Sequence, residues 1–453
     1  MEFDPPRILL AGVNSGCGKT TVTCAVLQAL VDRRLSVGAF KCGPDYIDPM
    51  FHSRIIGAKS ANLDLFFFSP NTLRYLLAKN ASGMDISVIE GVMGFYDGVS
   101  LTSPQASSWD IACATGTPVV LVVPAKGAAL SVLAVIQGFL DFQSGSRICG
   151  VILNRCTAMS YRGLAEAIRE RFGDKILPLG FLPEMPECAI ESRHLGLVTA
   201  SEIDGLREKL HRLAKQAEAS IDLDKLIQLA GSAPPLDFEP VTVPKYDPVR
   251  IGVARDRAFC FYYEDSLEIL KEMGAELVEF SPLSDSALPE KLDGLYFGGG
   301  YPELYAQELS ENSSMRKSVR RALGSGIPCI AECGGFMYLT QDINGFEMAG
   351  FLPGKCWDNH KLTRFGYVSL CAKANNLLCK AGDVIRGHEF HYWDTSEPGA
   401  DFSAVKLSGK SWDCVFANRH IYAGYPHFHF YANPRFAGNF YRSCMKVCRK
   451  END

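Results

Sequence analysis

Apolar positions in the first third of the chain gather into short unbroken runs. Residues 7–13, 37–41, 86–90, 118–123 and 148–153 are each of strand length and β-rich. Between them, stretches such as 20–32 and 130–139 place apolar residues at helical spacing. A strand that is apolar at every position has no face to offer water, so its alternation with helices predicts a parallel sheet covered on both sides. Residues 201–230 favour helix and then break at Gly231-Ser232-Ala233-Pro234-Pro235 and Glu239-Pro240-Val241-Thr242-Val243-Pro244. The pattern restarts with strands at 250–254, 276–280 and 295–297 and a helix at 263–273. Two α/β domains are therefore expected, at 1–230 and 249–453, with residues 231–248 as a linker. No internal repeat or low-complexity tract interrupts them.

Composition narrows the class without changing this outline. At 453 residues, 47% hydrophobic and 21% charged, the chain is an ordinary globular one with room for two or three cores. The net charge of −5 carries no basic block, which excludes a phosphate-neutralising surface for nucleic acid. Met1-Glu2-Phe3-Asp4-Pro5-Pro6-Arg7 is not a secretory leader, and no apolar run reaches membrane-spanning length. The 16 cysteines include no CxxC pair and most lie in apolar segments, as expected of reduced thiols in the cytoplasm. Cys444 and Cys448, one helical turn apart, read as a helix face rather than half of a metal site.

Chemistry is concentrated first around Cys333. The apolar run Pro328-Cys329-Ile330-Ala331-Glu332 enters a cysteine followed by Gly334, Gly335 and a helix-like stretch. Glycines permit a tight strand-to-helix turn, the helix N-terminus is expected to lower the thiol pKa, and the Gly334 N–H can face an oxyanion. A lone cysteine in such a run is ordinarily an apolar filler. The loop Gly298-Gly299-Gly300-Tyr301-Pro302-Glu303 upstream and Gly424-Tyr425-Pro426-His427-Phe428-His429 downstream argue otherwise. A donor-rich glycine loop, an elbow cysteine and a late histidine, in this order, resemble the class I glutamine amidotransferases, which release ammonia from glutamine. The resemblance makes Cys333 the nucleophile, Gly299 and Gly334 the oxyanion donors, and His427 the base, since the turn before His427 matches that family. Where the family carries glutamate two residues beyond the histidine, this chain has His429. The third triad member is left open, and His429, on the same face by strand alternation, stays an alternative base or orienting group.

The second concentration follows the first strand. Gly12-Val13-Asn14-Ser15-Gly16-Cys17-Gly18-Lys19-Thr20-Thr21 leads from a strand into a helix, the setting of a phosphate-binding loop. There backbone N–H groups wrap phosphates, Lys19 reaches the β and γ oxygens and the Thr20 hydroxyl holds Mg²⁺. Phe40-Lys41-Cys42-Gly43-Pro44-Asp45-Tyr46-Ile47-Asp48, then Asn62-Leu63-Asp64, then Ile89-Glu90 through Asp97-Gly98 follow later strands. Strand ends of an open parallel sheet line one crevice, so Lys41, Asp45, Asp48, Glu90 and Asp97 are expected to converge on the loop. Carboxylates there can ligate Mg²⁺ or position a substrate carboxylate and take up protons; the competing reading is solvated loop charge. Five residues, not four, separate Gly12 from Gly18, a spacing similar to that of dethiobiotin synthetase, partition-type ATPases and cobyrinic acid a,c-diamide synthases. Partition ATPases carry an extra lysine where this chain has Asn14.

Together these segments resemble the cobyrinic acid a,c-diamide synthase family over nearly the whole chain. The segments from Lys41 and around Glu90, Asn154-Arg155, the Gly298 loop, Cys333 and Gly387-His388-Glu389-Phe390-His391-Tyr392 carry the resemblance most specifically. It implies a P-loop NTPase parallel-sheet domain of dethiobiotin synthetase type joined to a flavodoxin-like class I amidotransferase domain. It implies a ligase acting on a cobyrinic acid-type tetrapyrrole with L-glutamine and ATP, with Mg²⁺ as cofactor and a homodimer allowed. ATP would contact Asn14, Gly16, Gly18, Lys19, Thr20, Thr21 and Lys41, and Mg²⁺ would contact Thr20, Asp45 and Glu90. Asp48 and Asp97 would serve catalysis. Asn154 either contacts the base or simply ends its strand. His388 and His391 lack further ligands at useful spacing and read as structural or substrate-shaping. Alternatives are a Ni-sirohydrochlorin a,c-diamide synthase, a cobyric acid synthase and, from a different class, a partition-like regulatory ATPase.

Overall fold

The computed structural model describes residues 2–189 and 200–452, in two compact units, Met1–Val241 and Thr242–Asp453. The first unit is built on a seven-stranded parallel sheet. Its spatial order is Lys59–Leu63, Val37–Cys42, Ile86–Glu90, Arg7–Gly12, Val119–Pro124, Ile148–Asn154 and Leu177–Leu182. The strands Arg7–Gly12, Val37–Cys42 and Ile86–Glu90 are buried at every position, which is why they read as continuous apolar runs. The two edge strands were not legible in that pattern. Lys59–Leu63 begins polar and half exposed, and Leu177–Leu182 contains proline and glycine, which an edge tolerates.

Helix Lys19–Asp32 is buried from Val22 through Leu30 because it lies within the core. Leu210, Leu213, Ala214 and Ala217 of helix Ala200–Ser220 join it in the same apolar cluster as the sheet residues Ile8, Leu10, Val120 and Val122. The stretch expected as a linker from residue 231 is in its first half part of this unit. Leu236–Asp237 pairs with Glu2–Phe3, and the buried guanidinium of Arg7 donates to the carbonyls of Thr115 and Pro234, both at 2.6 Å. A fully buried cation needs such acceptors, and Pro234 supplies one.

The second unit contains a six-stranded sheet ordered Ala275–Phe280, Val249–Ala254, Gly294–Phe297, Cys329–Glu332, Ile421–Gly424 and Phe416–Ala417. All pairs are parallel except the last. A five-stranded antiparallel sheet accompanies it, ordered Ser411–Cys414, Phe402–Val405, Arg364–Ala372, Val384–His391 and His427–Phe428. The chain passes through the second sheet, adds Phe416–Ala417 and Ile421–Gly424 to the first, and returns to the second at His427–Phe428. Among the described residues no helix is long and apolar enough to cross a membrane.

Candidate active sites

In the first unit the phosphate loop turns where Gly16 and Gly18 adopt φ of 80° and 86°. Gly18 has a second reason to be glycine, since a Cβ there would lie 1.9 Å from Asn154 Nδ2. That amide donates to the Cys17 carbonyl at 2.8 Å, and Arg155 donates to the Gly16 carbonyl at 3.2 Å. Asn154 thus stands at the strand end and holds the loop backbone with its N–H. Asn14 and Gly16 are exposed, and Thr21 is half-buried at the start of the helix.

Behind the loop, Lys41 and Glu90 are register partners on adjacent strands, so their side chains meet at the sheet end. Lys41 Nζ donates to Glu90 Oε1 at 2.9 Å and to Asp48 Oδ2 at 2.5 Å. Thr20 Oγ1 donates to Glu90 Oε1 at 2.7 Å, and Lys19 Nζ lies 3.8 Å from the same oxygen. Burial opposes the charge on Lys41, yet Glu90 and Asp48 outweigh it and hold the lysine above its ordinary value. Burial likewise opposes the Glu90 carboxylate, but Lys41, His52 and Lys19 hold it well below the usual carboxylate range. Lys19 is pushed down by burial and by Lys41, partly offset by Glu90. Asp45 is raised by burial and by Asp48. Its Oδ1 accepts from the Ile47 and Asp48 N–H groups at 2.8 and 3.0 Å, fixing the turn that delivers Asp48 to Lys41.

Lys19, Thr20, Lys41, Asp48 and Glu90 are thus brought together, with Asp45 beside them. Asp97 is exposed on the neighbouring loop, where its Oδ2 accepts from Gly94 N at 2.8 Å, and Phe95 N donates to the Gly12 carbonyl. Asp64 is spent on the N–H groups of Phe66 and Phe67. Sequence reasoning missed His52, which opens a π-helical turn and places Nε2 3.3 Å from Glu90 Oε2. Its four-residue spacing from Asp48 on a helical turn was the available signal.

In the second unit Cys333 occupies a strained elbow, φ 48° and ψ −105°, between strand Cys329–Glu332 and helix Gly334–Leu339. Close packing explains the flanking glycines. A Cβ on Gly334 would meet Pro302 Cδ at 2.7 Å, one on Gly335 would meet the Phe297 carbonyl at 2.5 Å, and one on Gly299 would meet His427 Cε1 at 2.5 Å. The Gly335 N–H is occupied by the Gly298 carbonyl, whereas the Gly334 N–H faces the cysteine sulfur. The expected lowering of the thiol pKa is opposed by its surroundings. Burial first, then Glu303, with Glu332 and Glu389 adding, push Cys333 above its ordinary value, and the Gly334 N–H offsets only part. A six-residue helix cannot outweigh loss of solvent and three carboxylates.

His427 Nδ1 lies 3.1 Å from Glu332 Oε2, and Tyr296 Oη donates to Glu332 Oε1 at 3.0 Å. Both members of the pair are buried, and Glu332 directly precedes Cys333. Burial raises the Glu332 carboxyl, with hydrogen bonds from His427 and Tyr296 opposing. Glu332 therefore stands beside His427 where an orienting acid would stand, the position that sequence reasoning left open; a lone acid ending an apolar strand was its signal. His388 stacks on His427 at 5.1 Å, accompanied by a 2.9 Å contact with Tyr263 Oη, and burial holds it well below its ordinary value. His429 does not continue the strand face as alternation suggested. The strand stops at Phe428, and His429 Nδ1 accepts from Tyr431 N at 3.1 Å, capping a 3₁₀ turn with its ring against Tyr263. Among the described residues no group of His, Cys, Asp and Glu is arranged to hold a metal ion by itself.

Comparison with known proteins extends over both units. Residues 8–198 match the family described as the CobQ/CobB/MinD/ParA nucleotide binding domain, and residues 250–435 match the CobB/CobQ-like glutamine amidotransferase domain. A cobyrinate a,c-diamide synthase of Thermoplasma volcanium is 39% identical over 460 residues, 98% of either chain. Another, from Caldanaerobacter subterraneus subsp. tengcongensis, is 40% identical over 450 residues, 98% of this chain and 99% of that one. A solved structure described as a glutamine amidotransferase aligns with 43% of this chain and 98% of its own at 18% identity and a TM-score of 0.31.

Proposed function

The chain belongs to the cobyrinate a,c-diamide synthase family, and on that premise we propose that it is an ATP-dependent, glutamine-hydrolysing ligase that converts the a and c acetate carboxylates of cobyrinic acid to amides in cobalamin biosynthesis. The observation that carries this reading is the match to relatives of that name over 98% of the chain, spanning both units. A regulatory partition-type ATPase would leave residues 250–435 without a use.

Ammonia is made in the second unit. Glu332 fixes the hydrogen of His427 on Nδ1, so that Nε2 carries the lone pair that accepts the Cys333 proton. The sulfur attacks the glutamine amide carbon, and the oxyanion is held by the N–H donors of Gly334 and Gly299. Collapse breaks the C–N bond, His427 returns the proton to nitrogen, ammonia leaves, and water hydrolyses the thioester to glutamate.

The carboxylate is activated in the first unit. An acetate oxygen attacks the γ-phosphorus of ATP, ADP departs, and the resulting acyl phosphate is attacked by ammonia with loss of phosphate. Lys19 and the loop N–H groups hold the phosphates, and Lys41 ties Glu90 and Asp48 into one rigid buried cluster. Thr20, Glu90 and the adjacent Asp45 are the residues that would hold Mg²⁺, which when bound would neutralise phosphate charge. Asp48 and Asp97 position the acetate.

Two variants test this division. Cys333→Ala is expected to abolish glutamine-driven amidation while leaving amidation driven by a high concentration of ammonium salt. Lys19→Ala is expected to remove both, because activation is shared. Mass increments of the macrocycle report each amide, and loss of both activities in a folded Cys333→Ala protein would overturn the two-site mechanism.

A further inference from the structure

Strand Val384–His391 buries Glu389 and His391 on one face, and the roles proposed above for the Cys333 machinery use neither. Glu389 is 2% exposed and His391 7%, yet Glu389 Oε2 and His391 Nε2 have no hydrogen bond. They lie 3.6 Å apart, and the nearest other charge, Arg364 Nε, stands 4.0 Å from Glu389 with its guanidinium stacked over Trp412. An acid buried this way is costly unless a cation completes its surroundings. His391 cannot supply it while neutral. Its Nδ1–H donates to the Trp393 carbonyl at 2.6 Å, which leaves a lone pair on Nε2. Two acceptors therefore converge where a donor is missing.

Their position ties them to the amidotransferase centre. His391 lies flat on Tyr425 at 4.0 Å, two residues before His427. His388, adjacent to Glu389, pairs in register with His427, and the charge of Glu389 is felt at Cys333. A second carboxylate, Glu303, follows Pro302, which packs against Gly334. Glutamine carries one group that answers this arrangement, an ammonium with three N–H donors.

We propose that Glu389 and His391 form the binding site for the α-ammonium of glutamine, with Glu303 as a further acceptor. The inference rests on the glutaminase reading above and adds to it the residues that select an α-amino acid over a simple amide. It also gives the acidic surroundings of Cys333 a purpose. The same carboxylates disfavour the thiolate, and an arriving ammonium relieves that opposition when the substrate is in place.

The test compares glutamine with glutaramic acid, which is glutamine without its α-amino group, in the full-length protein and in Glu389→Gln. The substitution keeps side-chain volume, removes the charge and turns one acceptor oxygen into an amide donor. Hydrolysis of glutamine by Glu389→Gln is expected to show a rise in KM of about 10- to 100-fold, the scale of one charged hydrogen bond. The kcat/KM for glutaramic acid is expected to stay within about threefold of wild type, so that discrimination collapses, and ammonium-driven synthesis is expected to be unchanged. His391→Asn is expected to shift the same ratio in the same direction by a smaller factor. Equal losses on both substrates, or an unchanged glutamine KM, would overturn the assignment while leaving the glutaminase intact. A wild-type protein that hydrolyses neither substrate would overturn the assignment together with the reading on which it rests.

Discussion

Replacing Glu332 with glutamine isolates the orienting role proposed for this buried acid. The side chain keeps its volume, and its carbonyl oxygen still accepts from Tyr296 Oη, now 3.0 Å from the carboxylate, so the core at this point is preserved. What changes is the partner of His427 Nδ1, at 3.1 Å. A charged acceptor is lost, which is worth about 1.5–3 kcal/mol, or about 10- to 150-fold. In addition the amide can donate to Nδ1 and so favour the tautomer with hydrogen on Nε2, which cannot accept the Cys333 proton. In triads of this logic the acid-to-amide exchange costs about 10⁴-fold in kcat. Glutamine hydrolysis by Glu332→Gln is accordingly expected to fall by about 10²- to 10⁴-fold in kcat with little change in KM, and Glu332→Asp to recover part of it. Glutamate release gives the rate, and ammonium-driven amidation of the macrocycle serves as the internal control. Retention of about half the wild-type kcat, or a parallel fall in ammonium-driven synthesis, would refute the orienting role.

The phosphate loop offers a paired comparison. Gly18→Ala meets both a φ of 86° and the Asn154 amide 1.9 Å away, whereas Gly16→Ala meets a φ of 80° in open space. Gly16→Ala should show only the backbone cost of about 1–2 kcal/mol, and Gly18→Ala should lose ATP turnover with either nitrogen source while hydrolysing glutamine normally; equal effects would contradict the loop-holding role of Asn154. The pH dependence of stability can be checked at Glu303, which burial pushes from 4.5 up to about 7. A raised acid favours folding below the unfolded value and loses that contribution as pH climbs through the folded one, so the loss runs from about pH 4.5 to pH 7. Glu303→Gln should therefore stabilise the protein relative to wild type at pH 8 by up to about 3 kcal/mol and much less at pH 4.5, read from melting curves at the two values. An offset independent of pH would show that the carboxyl is not held up in the fold.

The chain by itself determined the features whose chemistry is local. A phosphate loop needs glycine, lysine and threonine at fixed offsets between a strand and a helix, and a nucleophile elbow needs small residues beside the cysteine, so both are written in consecutive residues. The buried strands were legible for the same reason, since burial on two faces requires apolar side chains at each position. The edge strands Lys59–Leu63 and Leu177–Leu182, with less to bury, left no such trace.

Tertiary structure alone decided who meets whom across the chain. Glu332 finds His427 over 95 residues, Asn154 finds Cys17 over 137, and Lys41 meets Glu90 because two strands pair in one register rather than another. It also decided the direction in which burial and neighbours push each ionisable group. The motif around Cys333 reads as an activating helix end, yet exclusion of water and the arrival of Glu303 and Glu389 from other elements push the thiol the opposite way. Desolvation depends on everything that surrounds a group, and no stretch of sequence carries that sum; spacing can name the nucleophile, but its acidity and its orienting partner are set by the fold packed around it.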